Sequence, residues 1–154
     1  MPLEIERKFM VLNNDFKLDT HKIIDIKQGY IFSNQNKVLR VRITSDYSKI
    51  AIKFGEDDIV RHEYEYEIPI NDAKRLLKVC KGYLIEKKRY LIRNENLTWE
   101  VDEFLGQNKG LIIAEIELKN KKQNFFKPDW IGKEVSHDKR FYNHFLSKKP
   151  FLTW

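Results

Sequence analysis

Leu3-Glu4-Ile5-Glu6-Arg7-Lys8-Phe9 sets Glu4, Glu6 and Lys8 at strict two-residue intervals. In an extended strand, successive side chains leave opposite faces of the backbone. The three charges therefore share one side, while Ile5 and Arg7 take the other. Two carboxylates followed by an ammonium on one face suit a metal-bridged phosphate better than a plain solvent surface. The same period-two placement of charge recurs along most of the chain.

Outward from this stretch, alternating runs predict strands at about Glu4–Val11, Ile24–Phe32, Lys37–Thr44, Lys49–Phe54, Arg61–Ile70, Leu84–Arg93, Leu97–Leu105 and Leu111–Asn120. Asn34-Gln35-Asn36, Asp46-Tyr47-Ser48, Asn94-Glu95-Asn96 and the Gly106–Gly110 segment supply turn chemistry between neighbours. Eight strands joined mainly by short turns predict a mainly β (α+β) fold, an eight-stranded antiparallel barrel with flanking helices. One helix is predicted over Asp72–Lys81, capped by Asn71 and stopped at Gly82. A second is predicted behind Asp138, with Phe141, Phe145 and Leu146 as its apolar stripe. Asp15–Thr20 reads as a short turn.

No linker, repeat or low-complexity tract divides the 154 residues, so a single domain over 1–154 is expected. No run of apolar residues is long enough to span a bilayer, and no export signal opens the chain. With a single cysteine, Cys80, no internal disulfide forms, which suits a reducing cytoplasm. A net charge of +6 calls for an anionic partner: nucleic acid, an acidic membrane surface or a polyphosphate.

The strand faces narrow that choice. Arg40 and Arg42 share a face opposite Leu39, Val41 and Ile43. Lys87 pairs with Arg89, Glu100 with Asp102 and Glu115 with Glu117, and Glu63, Glu65 and Glu67 oppose Tyr64 and Tyr66. Any one of these rows is an ordinary solvated face. Together they are not, because each strand carries chiefly one sign, and like charges two residues apart repel. A metal held by the carboxylates and a polyanion held by the bases would offset that cost. Carboxylate oxygens select Mg²⁺ or Mn²⁺, and His21, His62, His137 and His144 are scattered without zinc spacing. Arginine forks match phosphate oxygens, and nucleic-acid grooves do not line themselves with this many acids. The partner expected is thus a small-molecule triphosphate, with neither nucleic acid nor membrane.

Glu4-Ile-Glu-Arg-Lys8 resembles the ExExK signature of the CYTH superfamily, the triphosphate tunnel metalloenzymes. The resemblance runs on through Gln28-Gly29-Tyr30, Arg40-Val-Arg42, Lys53, Arg61-His-Glu63-Tyr-Glu65, Glu86-Lys87-Lys-Arg89, Trp99-Glu-Val-Asp102, Gly110 to Leu118 and Trp130-Ile-Gly-Lys133-Glu-Val. It implies an eight-stranded tunnel with a charged interior. By the same resemblance Glu4, Glu6, Asp102, Glu115 and Glu117 form a metal set, with Glu100 beside them. Lys8, Arg40, Arg42, Lys53, Lys87, Arg89 and Lys133 form the phosphate-binding set. Lys8, Arg40 and Arg42 take catalytic roles; the reaction's own chemistry adds Tyr30, a catalytic base if Lys8 lowers its pKa and otherwise a packing residue. His137 stands where relatives commonly carry glycine.

The resemblance implies a divalent-metal-dependent triphosphatase, and the compact chain favours inorganic triphosphate, because no inserted segment builds a base pocket. A class IV adenylate cyclase, an organic triphosphatase acting on ATP or thiamine triphosphate, and a non-catalytic polyphosphate binder stay open. A polar interior pushes the apolar faces outward, under the helices, under Phe125, Phe126, Trp130 and Trp154, with a second copy in a homodimer as a further expected cover.

Overall fold

The computed structural model describes residues 3–154. Nine strands form one antiparallel sheet: β1 (Leu3–Val11), β2 (Thr20–Ser33), β3 (Lys37–Thr44), β4 (Ser48–Gly55), β5 (Val60–Glu67), β6 (Lys81–Asn94), β7 (Leu97–Phe104), β8 (Ile112–Glu117) and β9 (Ile131–Glu134). The sheet order is β5-β4-β3-β2-β6-β7-β8-β1-β9, and β5 pairs back onto β1. Eight strands thereby close into a barrel, and closure removes the edges that an open sheet would expose.

The ninth strand was not foreseen, and the reason is geometric. One edge of β1 is shared. Its first half pairs with β5, with Glu4 opposite Arg61. Its second half parts from β5 and pairs with β9, with Phe9 opposite Glu134 and Val11 opposite Ile131. Four residues in an irregular segment carry too little alternation to be read as a strand.

The helices also differ from the expected bounds. Helix α1 covers Ile70–Lys78 and starts directly after Pro69, with no side-chain cap, so Asn71 lies inside its first turn and β5 ends at Glu67. Gly82 lies one residue into β6 with φ +73, and a Cβ there would sit 2.3 Å from the Ser147 carbonyl oxygen. Its role is a close approach between strand and C-terminal segment. Asp138 caps a short 3₁₀ turn, Lys139–Phe141, by accepting from the Arg140 N–H, and helix α2 is only Asn143–Leu146. A 3₁₀ turn at Asp15–Asp19 matches the turn expected there.

The alternation puts charge inside the barrel and apolar side chains outside. One outer cluster joins Phe9, Tyr90, Ile92, Trp99, Val101, Ala114 and Ile116, covered by Phe16, Phe125 and Trp130. A second, under α1, joins Val41, Ala73 and Leu77. A third gathers Tyr30, Val38, Ile85, Phe104 and Ile113 with Phe141 and Leu146. By strand period, Val38 shares the face of Arg40, Ile85 that of Lys87, Phe104 that of Asp102, and Ile113 that of Glu115. The third cluster is therefore an apolar plug inside one end of the barrel, topped by the C-terminal segment. Trp154 packs edge-on against Phe141 and Phe151. Phe126, expected as outer cover, is instead 63% exposed; it hands only its carbonyl to Asn94.

Candidate active site

Above the plug lies a cavity of about 270 Å³. Glu4, Glu6 and Lys8 line it from β1, Arg40 and Arg42 from β3, Lys53 from β4, and Lys87 and Arg89 from β6. Glu100 joins them from β7, with Glu115 and Glu117 from β8. Tyr30 and Val38, shared with the plug, make its floor together with Tyr142, Asn143 and His144.

Strand register decides which charges meet. Lys8 stands opposite Glu115, Arg89 opposite Asp102 and Lys53 opposite Glu63. The resulting ion pairs are short. Lys8 Nζ lies 3.2 Å from Glu115 and 3.3 Å from Glu6, and Lys53 Nζ lies 2.8 Å from Glu4. Arg40 reaches Glu65 at 3.1 Å and Glu63 at 3.6 Å. Register also sets like against like, with Glu6 opposite Glu117 and Glu100 opposite Glu115, an arrangement that costs stability.

The protonation states record that strain. Burial and the neighbouring Glu115 and Glu4 carboxylates hold Glu6 well above the usual carboxylate range. Burial works the same way on Glu115. There Lys8, a hydrogen bond from Glu6 and the Arg89 guanidinium outweigh it, and Glu115 stays ionised far below the usual range. Glu6 is thus pushed toward its protonated form beside an ionised Glu115. Burial with Glu4, Glu100 and Glu63 also pushes Glu117 up. As hard oxygen donors, Glu4, Glu6, Glu115 and Glu117 have the chemistry to hold a divalent ion. Among the described residues no three acids already converge into a metal cage; Lys8 and Lys53 are paired with Glu6, Glu115 and Glu4.

Two expected residues sit elsewhere. Asp102 is fully buried, with both oxygens taken by Arg89 (2.8 and 2.9 Å) and one also by Lys87 at 2.8 Å. It neutralises both bases and does not line the cavity. Lys133 is exposed on β9, outside the barrel wall, and does not line the cavity.

Other cavity residues escaped the sequence reading. Gln28, buried to 1% exposure, accepts from Arg42 Nε at 2.8 Å and donates to Tyr30 OH at 2.9 Å. Tyr30 OH is thereby held as an acceptor. Asn143 accepts from Lys87 Nζ at 2.8 Å. Arg61, Tyr142 and His144 also face inward. Arg61 had a signal, since it shares the face of Glu63 and Glu65. Tyr142 and His144 had none, because only the folding back of the C-terminal segment brings them to the barrel.

An enclosed barrel interior lined by opposed acids and bases defines a binding protein or enzyme for a small, highly charged anion. The chain belongs to the CYTH domain family, which matches residues 2–142. It is similar to an inorganic triphosphatase of Acetivibrio thermocellus, 47% identical over 152 residues and spanning 98% of this chain and 97% of that one. An inorganic triphosphatase of Nitrosomonas europaea is 31% identical over 94% of this chain and 96% of its own. Among solved structures, an inorganic triphosphatase superposes with a TM-score of 0.68 at 30% identity, covering 94% of this chain and 93% of that one. A Pyrococcus horikoshii protein gives 0.63 at 25% identity, covering 77% and 80%. CYTH triphosphatases are metal-dependent enzymes. No helix is long and apolar enough to cross a membrane among the described residues.

Proposed function

We propose that this chain is an inorganic triphosphatase: a hydrolase that cleaves a phosphoanhydride bond of tripolyphosphate with an activated water and a divalent metal, Mg²⁺ or Mn²⁺. The carrying observation is that Glu4, Glu6, Lys8, Arg40, Arg42, Lys53, Lys87, Arg89, Glu115 and Glu117 all line one cavity. The similarity to inorganic triphosphatases over nearly the full chain supports the same reading.

Phosphoryl transfer asks a protein for positioning and charge neutralisation more than for a nucleophile. Arg40, Arg42, Arg89, Lys8 and Lys53 supply the cationic wall along which a linear triphosphate lies. When it enters, its oxygens replace carboxylates as partners of Lys8 and Lys53. Glu4, Glu6, Glu115 and Glu117 are then free to hold the metal. Once bound, the metal supplies charge neutralisation and a more acidic water. Gln28 fixes Arg42, while Asp102 and Asn143 fix Lys87 and Arg89, so the wall is organised before substrate arrives.

The cavity lining is mostly charged, which favours the inorganic substrate over ATP and the hydrolase over a cyclase. We place this activity in the cytoplasm. The deciding assay measures phosphate release from tripolyphosphate, ATP and thiamine triphosphate, alongside cyclic AMP formation, with Mg²⁺ or Mn²⁺ and with chelator. Metal-dependent release from tripolyphosphate above the others is expected. Cyclic AMP formation, or metal-enhanced binding without turnover, would overturn the reading.

A further inference from the structure

We propose that Ser136, anchored by Glu134 and Arg7 on the outer wall, is a positioning residue for Lys8: it fixes the strand that carries Lys8 at the point where the barrel wall forks. The inference rests on the reading of this cavity as a triphosphate site and names a group outside the cavity lining on which that site depends.

The fork is a weak point in the wall. β1 pairs with β5 as far as Ile5, and the Glu6 N–H still reaches the Ile59 carbonyl at 3.0 Å. Pairing with β9 begins only at Phe9. Lys8 falls between the two ladders. A backbone N–H left unpaired there would cost stability and leave the strand free to shift. Instead it donates to Ser136 Oγ at 2.9 Å, and the Lys8 carbonyl accepts from the Val135 N–H at 2.8 Å. A side-chain hydroxyl thus replaces the strand carbonyl that the fork takes away.

The hydroxyl is itself held. A serine has one proton to give, and Ser136 gives it to Glu134 Oε2 at 2.6 Å, which leaves its lone pairs for Lys8. Arg7 grips the same carboxylate with two prongs, Nε to Oε2 at 2.8 Å and Nη2 to Oε1 at 2.6 Å. Hydrogen bonds from Arg7 and Ser136 outweigh partial burial and hold the Glu134 carboxyl below the usual range, so it stays an acceptor. The Arg7 guanidinium lies over the Phe125 ring at 5.2 Å. Ser136 is 1% exposed, and its own carbonyl accepts from the Tyr142 hydroxyl at 2.9 Å.

Arg7 and Lys8 are neighbours that leave opposite faces of β1. The clamp on the outer wall and the charge in the cavity therefore share one short stretch of backbone. On the inner side the Lys8 ammonium sits 3.2 Å from Glu115 and 3.3 Å from Glu6. A shift of about 1 Å in a group that meets substrate can cost about a hundredfold in rate, and the Ser136 contact opposes such a shift.

The test is a double-mutant cycle on the intact chain. Ser136→Ala is expected to lower kcat/KM for tripolyphosphate about tenfold, and Ser136→Thr, which keeps the hydroxyl, should recover most of the loss. In a Lys8→Ala background the same alanine change should cost less than about twofold, because the residue it acts through is gone. A serine that merely supports the fold would cost the same in both backgrounds. Calorimetric titration with tripolyphosphate reads the cycle a second time without turnover, and the same coupling is expected in affinity. If Ser136→Ala yields no folded protein, Arg7→Met runs the cycle instead, since it leaves Ser136 in place and cuts its anchor from outside. Equal losses in the two backgrounds, or wild-type kcat/KM and affinity in the folded variant, would overturn the assignment. Coupled losses of affinity without phosphate release would keep it and remove the triphosphatase reading. Phosphate release with uncoupled losses would do the reverse.

Discussion

Arg89 grips Asp102 with two prongs, Nε to Oδ1 at 2.8 Å and Nη2 to Oδ2 at 2.9 Å, across directly opposed positions of β6 and β7. Lys87 closes on the same carboxylate at 2.8 Å. Burial works against the Asp102 charge, yet Arg89 and Lys87 hold its carboxyl below the usual range. Removing it strands two buried cations. Asp102→Ala is expected to destabilise the fold by about 3–5 kcal/mol, the cost of breaking a buried pair from one side. Asp102→Asn, which keeps an acceptor, should cost less. Urea unfolding of both variants checks this, and an Asp102→Ala protein as stable as wild type would show that the carboxylate is not the anchor.

Lys87 gives that cluster a pH signature. Burial, opposed by Asp102 and reinforced by Arg89 and Arg42, lowers its ammonium pKa from the ordinary 10.5 to about 7. Between those values the unfolded chain binds a proton that the folded chain has released, so stability rises with pH across that window. The rise is bounded by about 1.4 kcal/mol per pH unit. Lys87→Met should flatten the profile of unfolding free energy against pH between about 7 and 10. Parallel profiles for the two proteins would mean that Lys87 stays charged in the fold.

The barrel was readable because Glu4, Arg40, Lys87 and Glu115 all obey a period of two, and charge rows of one sign are hard to explain on an outer surface. The number of barrel strands and their antiparallel order followed, while the inward direction of those rows came from the family resemblance. What did not follow depended on contacts distant in sequence. β9 exists because β1 changes partner halfway along its length, and no property of residues 131–134 announces that. Asp102 reads like Glu115 in the chain, since both are acids on alternating strands. Only the register across β6 and β7 shows that one is locked behind two bases. Lys133 falls outside the cavity for the same reason: a motif fixes order along the chain, not the side of the wall.

The raised carboxyl of Glu6 beside the ionised Glu115 predicts a trade between stability and activity. Glu6 is raised above the ordinary carboxylate value, so the native state binds more protons than the unfolded state above that value. Its contribution is complete at low pH and is lost as pH rises through its folded pKa. Glu6→Gln removes that loss, and the metal-free variant should melt higher than wild type at neutral pH. Because Glu6 belongs to the proposed metal-holding set, the same change should abolish metal-dependent phosphate release, as should Glu115→Gln with its barrel intact. Differential scanning calorimetry with chelator, run beside the release assay, separates the two effects. A Glu6→Gln protein that melts lower and still turns over would contradict both assignments.

Trp99 offers a test of the outward core. It is fully buried, with edge-on contacts to Phe9, Phe125 and Trp130 at ring separations of 5.6, 5.7 and 5.8 Å. Yet its indole Nε1 has no hydrogen-bond partner, and a buried donor left unpaired costs stability. Trp99→Ala empties the centre of the cluster and should cost about 3–5 kcal/mol. Trp99→Phe loses packing too, but it removes the orphaned N–H and keeps an aromatic edge against Phe9 and Trp130. Its cost should fall clearly below that of the alanine change. Chemical denaturation of the pair decides the matter: equal losses would mean that the indole N–H carries no penalty and that packing volume alone holds this side of the barrel.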